Sequence, residues 1–365
     1  MNLFGFLLHP LGMQDVVRYA PNARGKREAL VAKILEWMPP YQASIITGVR
    51  SRAVETAIEG RFITIPMLPK QFLEKDRQWV FDRVLQGALL AQTNGAQIVG
   101  LGGYNSVVGE AGKAIAERLD VGVTSGNSYT VATAMEATLA AARAMDLDLA
   151  RCNVAVVGAT GAIGGVCSRL LARQVARLSL VARSRSRLQT LAEKIHGEGP
   201  CAVSIDTDLE RGIREADVIV SATSSGGGII RPDNLKPGVV ICDVALPHDV
   251  SREVARQRPD VLVIEGGVIE VPGDVQFNFD FGYPPGHSLA CMAETMVLTL
   301  EGRFEDYSLG RGLHLDKVEE ISRLAARHGF RTAGLRAFDE PVTEDKIEEV
   351  KSRLRDHRRG LSVIR

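Results

Sequence analysis

A strand, a glycine-rich turn and a helix follow one another at Val154–Ala172, in the middle of the chain. Val154-Ala155-Val156-Val157 is an apolar run, and Gly158-Ala159-Thr160-Gly161-Ala162-Ile163-Gly164 follows it directly. Glycines every third residue let the backbone turn sharply and keep side chains away from the N-terminus of the helix that follows. Free N–H groups and the helix dipole there favour a pyrophosphate. The triplet is weak on its own. Here it gains weight from the apolar run before it, the amphipathic helix after it and a second apolar run at Leu178–Ala182, which together make the βαβ setting that the motif requires.

The end of that second run bears on the cofactor. An acid there holds the ribose 2′-hydroxyl of NAD, whereas arginine accommodates the 2′-phosphate of NADP. The sequence reads Ala182-Arg183-Ser184-Arg185-Ser186-Arg187, with no acid. A guanidinium can grip the phosphate through two hydrogen bonds that a carboxylate would repel. NADPH is therefore the expected cofactor, held by Gly158, Thr160, Gly161, Ala162, Ile163, Gly164, Arg183, Ser184 and Arg185. The ends of later strands, at Ala222, Thr223 and Val244, complete the cradle.

The rest of the chain divides around this motif. Strand and helix alternate from the first residues to about Thr124, giving an N-terminal α/β domain over 1–126. A long alanine-rich helix from about Tyr129, capped by Ser125-Gly126-Asn127-Ser128, leads into a Rossmann domain, a doubly wound parallel sheet over 127–267. Its later strands, Val218–Thr223 and Val239–Ala245, are almost wholly apolar, as strands covered on both faces must be. A C-terminal, mainly helical region over 268–365 starts with a loop rich in Pro, Gly and aromatics. Its helices lie at 289–302 and 315–328, and a charged tail forms a peripheral helix with a frayed end.

Composition excludes several classes. Acids and bases balance at 44 each, so nothing global points to nucleic acid. No apolar stretch is long enough to span a membrane, and the N-terminus lacks the pattern of a signal peptide. Five scattered cysteines without a CxxC pair fit a reducing cytoplasm and argue against a disulfide framework or a metal site. A homo-oligomer is compatible with all of this.

Cys291 stands apart from the other cysteines. It lies in the first turn of a helix, after the irregular stretch Tyr283-Pro284-Pro285-Gly286-His287-Ser288. A helix dipole there lowers a thiol pKa, and the loop can leave the sulfur open to a cleft. A small buried filler is the competing reading. It is the natural one for Cys242, Cys167, Cys152 and Cys201. His287 could assist proton transfer, although capping or simple exposure explains it more readily. Asn127 and Ser128 could polarise a carbonyl, but their place at a helix start already accounts for them. Glu294 and Glu301 read as solvated or helix-pairing acids. A reduced dinucleotide with an activated thiol suggests attack on a thioester, then reduction of the acyl-enzyme to an aldehyde.

The chain resembles the long-chain acyl-[acyl-carrier-protein] reductases from about Phe4 to Phe330. The resemblance rests on Phe4-Gly5, His9, Glu59-Gly60-Arg61 with Leu68-Pro69, Gly100-Leu101-Gly102-Gly103, Gly126-Asn127 with Thr130, the glycine loop, Ala182-Arg183 and Glu265-Gly266-Gly267. Its most specific parts are Ala290-Cys291 with Ala293-Glu294, Glu301-Gly302, Ser308 with Gly310-Arg311, and His328-Gly329-Phe330. It implies NADPH-dependent reduction of acyl thioesters to fatty aldehydes, with Cys291 as acyl acceptor, acyl carrier protein or acyl-CoA as donor, and an apolar acyl tunnel in the N-terminal domain. Pro272, Phe277-Asn278-Phe279-Asp280-Phe281, Pro284-Pro285 and the tail depart from the family pattern, which leaves chain length and carrier open. Two other readings stay open. One is a shikimate-dehydrogenase-like alcohol dehydrogenase using Lys113 and Asp120; the other is a non-catalytic NADPH-binding protein.

Overall fold

Alternation along the first strands sends side chains to two faces of one sheet. The computed structural model describes residues 1–363 and divides into two compact units. The first contains residues 1–130 and 268–333, and the second contains 131–267 with 334 onward.

In the first unit, β1 (Asn2–Leu8), β2 (Tyr41–Arg50), β3 (Ala57–Thr64), β4 (Ile98–Leu101) and β5 (Gly122–Thr124) lie in the order β2-β3-β1-β4-β5. β2 runs antiparallel to β3, and the remaining pairs are parallel. Leu7, Ile63, Val99 and Leu101 point to one face and pack in a single core with Val80, Val84, Ala88 and Ala91 of the helix Arg77–Thr93. Phe6, opposite Phe62 and Gly100 in the register, points to the other face.

The second unit is a parallel sheet of β6 (Asn153–Val157), β7 (Arg177–Val181), β8 (Ala202–Asp206), β9 (Val218–Ser221), β10 (Val240–Asp243) and β11 (Leu262–Glu265). Their order, β8-β7-β6-β9-β10-β11, reverses direction at β6, as in the expected doubly wound Rossmann sheet.

The segment from 268 onward, read from sequence as one helical region, is divided between the units. Its first part contributes β12 (Val268–Glu270), β13 (Gly273–Gln276), β14 (His287–Leu289) and β15 (Arg331–Thr332). β13 extends the first sheet beside β2, and β14-β12-β15 form a small sheet of their own. The aromatic run explains the attachment. Phe277, Phe279 and Phe281 place their rings 6.0, 5.8 and 5.3 Å from the ring of Phe62. The tail helix Glu344–Val363 belongs to the second unit, where Val350 is buried and Lys351 pairs with Asp146 at 2.6 Å. Residues 364–365, where fraying was expected, lie outside the described residues.

Phe62 is fully buried at the centre of this ring cluster. Phe62→Ala should therefore lower stability by about 3–5 kcal/mol in denaturant titrations; a loss below about 1 kcal/mol would show that the cluster does not hold β13 and its loop in place.

Candidate active site

The helix Ala290–Leu300 starts where β14 ends, at an extended Leu289. Every residue of this helix is buried except Cys291, which is partly exposed. Two glycines let the helix approach closely. A Cβ on Gly126, which has φ +72°, would lie 2.2 Å from the Cys291 Cα, and one on Gly100 would lie 2.2 Å from Thr295 Oγ1. Cys167 and Cys242 are fully buried, and burial pushes both thiols well up, Cys242 to about 12.

The expectation of a depressed Cys291 pKa is corrected. Desolvation by the surrounding protein pushes the thiol up to about 12, even though the residue keeps some solvent contact. The N–H groups of Met292, Gly103 and Cys291 itself oppose this by favouring thiolate, while the nearby Glu294 adds to the rise. Removal from water outweighs the dipole. At neutral pH the unliganded site holds a thiol.

Glu294 also differs from its sequence reading as a solvated or helix-pairing acid. It is fully buried and accepts hydrogen bonds from Thr124 Oγ1 and, at 2.8 Å, from the Tyr129 N–H. It thereby caps the helix Asn127–Ala144 from another element, while burial raises its own pKa. An acid in the middle of an apolar helix was the available signal, because such a charge must be paired. Glu301 does pair across helices, accepting from His328 Nε2 at 2.7 Å and Arg327 at 3.2 Å.

The other proposed catalytic groups have different partners. The helix begins at Asn127, two residues before the expected start, and Asn127 and Ser128 are both buried. The Ser308 hydroxyl donates to Ser128 Oγ at 2.7 Å and accepts from the Ser128 N–H at 3.2 Å. His287 lies on β14 with Nδ1 2.9 Å from the Pro285 carbonyl. Among the described residues, no hydrogen bond joins His287, Asn127 or Ser128 to the sulfur. His9, noted in the sequence only for the resemblance, is connected to Cys291 through Gly103. Burial lowers its pKa to about 4, so its ring is neutral, and its Nε2 accepts from the Tyr104 N–H at 3.0 Å. A Cβ on Gly103 would lie 2.7 Å from that nitrogen, so His9 supports the turn that presents Gly103 to Cys291.

In the second unit, the glycine loop fits a dinucleotide. Gly158 has φ +78°, and a Cβ there would meet the Ala222 carbonyl at 2.4 Å. A Cβ on Gly164 would lie 2.3 Å from the Gly158 carbonyl, so glycine sets the close strand–helix packing. The helix Ala162–Ala172 starts after Gly161 with no side-chain cap, leaving its first N–H groups for a ligand. Thr160, Ala162 and Ile163 are partly exposed around this start. Beyond β7, Arg183 and Arg185 are exposed and Ser184 is partly buried; neither arginine forms an ion pair among the described residues. Asp206, opposite Val181 in the register, is neutralised by two hydrogen bonds from Arg211, at 2.5 and 2.7 Å. Sequence reading missed Asp249. Its buried carboxylate accepts from Ser221 and Thr223 at 2.7 Å and from Ser225 at 3.0 Å, fixing the loop after β9 that contains Ala222 and Thr223. Val244, the residue after β10, donates its N–H to the Ser221 carbonyl at 2.8 Å.

A family model described as shikimate/quinate 5-dehydrogenase matches residues 139–265. The chain is 32% identical over 312 residues to the long-chain acyl-[acyl-carrier-protein] reductase of Synechococcus elongatus, covering 81% of this chain and 89% of that protein. It belongs to that reductase family. As a member it is an NADPH-dependent oxidoreductase. It is also 35% identical over 309 residues to aminotransferase PigE of a Serratia species, a match that spans 82% of this chain but only 35% of PigE. The glutamyl-tRNA reductase of Sorangium cellulosum matches 31% of this chain and 22% of its own length, at 34% identity.

Two measurements follow from these geometries. Alkylation of Cys291 by iodoacetamide, followed by peptide mapping, should keep accelerating above pH 11, whereas an ordinary thiol of pKa about 8.5 levels off at about pH 10. Glu294→Gln removes one of the groups raising the thiol and should shift the curve to lower pH, still above that of a free cysteine. A plateau by about pH 10 in the parent, as for an ordinary thiol, would contradict the burial argument. The double variant Arg183→Ala/Arg185→Ala should weaken NADPH binding roughly tenfold to a hundredfold in fluorescence titrations and leave NADH unchanged; equal losses for both nucleotides would exclude 2′-phosphate recognition there.

Proposed function

We propose that this enzyme reduces a long-chain acyl thioester, carried on acyl carrier protein or coenzyme A, to the aldehyde, with Cys291 as acyl acceptor. The observation that carries the reading is Cys291 itself, the single partly exposed residue of an otherwise buried helix, with the backbone N–H groups of Met292 and Gly103 favouring the ionised sulfur. Kinship with the Synechococcus reductase supports the substrate class. Five free cysteines support a cytoplasmic setting.

Cys291 gives up its proton and attacks the thioester carbon, and the departing carrier thiol takes up one proton, so the exchange is neutral overall. Burial that penalises a thiolate does not penalise the uncharged acyl-enzyme, so the same surroundings that raise the thiol pKa favour the acylated state. The N–H groups of Gly103 and Met292 are suited to stabilise charge developing on the carbonyl oxygen. NADPH, when bound, supplies the hydride that takes the acyl carbon to the aldehyde level. Cys291 then leaves as the sulfur and recovers a proton. His9 and Glu294 act as positioning residues, one for the Gly103 turn and the other for the start of the helix Asn127–Ala144. The alcohol-dehydrogenase reading would need Lys113 and Asp120 to work as a pair, but both are exposed and Asp120 accepts from Gln92 at 3.3 Å.

Incubation with NADPH and a palmitoyl thioester should yield hexadecanal. Cys291→Ala should reduce turnover at least about a thousandfold without changing NADPH affinity. Turnover by that variant within tenfold of the parent would overturn the covalent mechanism, and tight NADPH binding without aldehyde formation in the parent would leave a nucleotide-binding protein.

A further inference from the structure

The helix Glu28–Trp37 carries apolar residues on two opposite sides. Val31 and Leu35 face inward and pack with Val16 and Leu68. Leu30, Ile34 and Trp37, spaced four and three residues apart, form one outward stripe and are 48%, 53% and 81% exposed. A buried face explains the first set and leaves the second unexplained. Exposed large apolar side chains normally occur singly; three in line on two turns of helix, ending in a tryptophan, form a patch.

The charges around the stripe indicate what covers it. Arg24, Lys26 and Arg27 are exposed just before the helix, and none forms an ion pair among the described residues. On a helical projection Arg27 and Lys33 flank the stripe on either side, while Glu28 and Glu36 fall toward the inward half. Glu36 is in addition neutralised by Lys33 at 2.9 Å and Lys75 at 2.6 Å. The outward surface therefore combines Leu, Ile and Trp with a cationic border. This is the pattern of a helix lying in a lipid–water interface, with tryptophan at headgroup level and cations over anionic lipid. Three side chains fall far short of the roughly 20–30 residues a side that a stable protein interface uses.

We propose that this helix docks the protein peripherally on an anionic bilayer surface, through Leu30, Ile34 and Trp37, with Arg24, Lys26 and Arg27 over the headgroups. This surface argument stands independently of the proposed reaction, and vesicle binding measured without acyl donor or NADPH tests it separately.

The test is sedimentation of the full chain with vesicles of phosphatidylcholine, alone or with a quarter phosphatidylglycerol. The parent should partition onto the anionic vesicles and be released by 0.5 M salt, with Trp37 emission shifting to the blue. Ile34→Glu/Trp37→Glu should weaken partitioning at least about tenfold. Arg24→Ala/Arg27→Ala should weaken it about fivefold per cation removed. Both variants should keep the parent's denaturation midpoint, because the altered side chains are exposed. Failure of the parent to bind anionic vesicles, or undiminished binding by the stripe variant, would overturn the proposal. So would a stripe variant that turns a dimer into a monomer, or loses acyl carrier protein, while vesicle binding is absent.

Discussion

The close contact between the turn at Gly126 and the helix bearing Cys291 is the constraint on which the candidate site depends. Any side chain at Gly126 would occupy the space of the Cys291 backbone. Glu294, one turn along the same helix, holds the contact by accepting from Thr124 before the turn and from Tyr129 after it. Both partners sit in a water-poor interior, where an unmatched carboxylate would be strongly unfavourable. One buried acid thus fixes the start of the Asn127–Ala144 helix and the orientation of the cysteine helix together.

The same enclosure sets the electrostatics of the sulfur. A helix N-terminus stabilises an anion by at most about 2 kcal/mol, whereas desolvation shifts a buried group by up to several pKa units, so the larger effect wins. The thiol is then predominantly protonated in the unliganded protein. His9 contributes without charge. Its neutral ring accepts from the Tyr104 N–H and backs Gly103, whose own N–H favours the ionised sulfur.

Much of the architecture is legible in the residues. Apolar runs such as Val154–Val157 and Val218–Ser221 reveal buried parallel strands, and the Gly158–Gly164 spacing has one structural use that suits it. The clusters that join distant segments are harder to read. Phe277, Phe279 and Phe281 look like an irregular loop until Phe62 is beside them, because a sequence shows the pattern of a segment and not its partner. Glu294 looks like an ordinary helix acid until Thr124 and Tyr129 close around it. Asp249 has no motif at all, and its importance comes from three hydroxyls, one at the end of β9 and two in the loop after it. The direction of the Cys291 shift escapes the sequence for the same reason, since a dipole can be read from position in a helix and desolvation cannot.

The central claim is that this sulfur, and no other in the chain, receives the acyl group. The most direct test incubates the protein with a long-chain acyl thioester in the absence of NADPH and locates the adduct by tandem mass spectrometry of its peptides. The account predicts one hydroxylamine-labile acyl group, on the peptide containing Cys291, which disappears when NADPH is added. No adduct, or an adduct on Cys152, Cys167, Cys201 or Cys242, would contradict it.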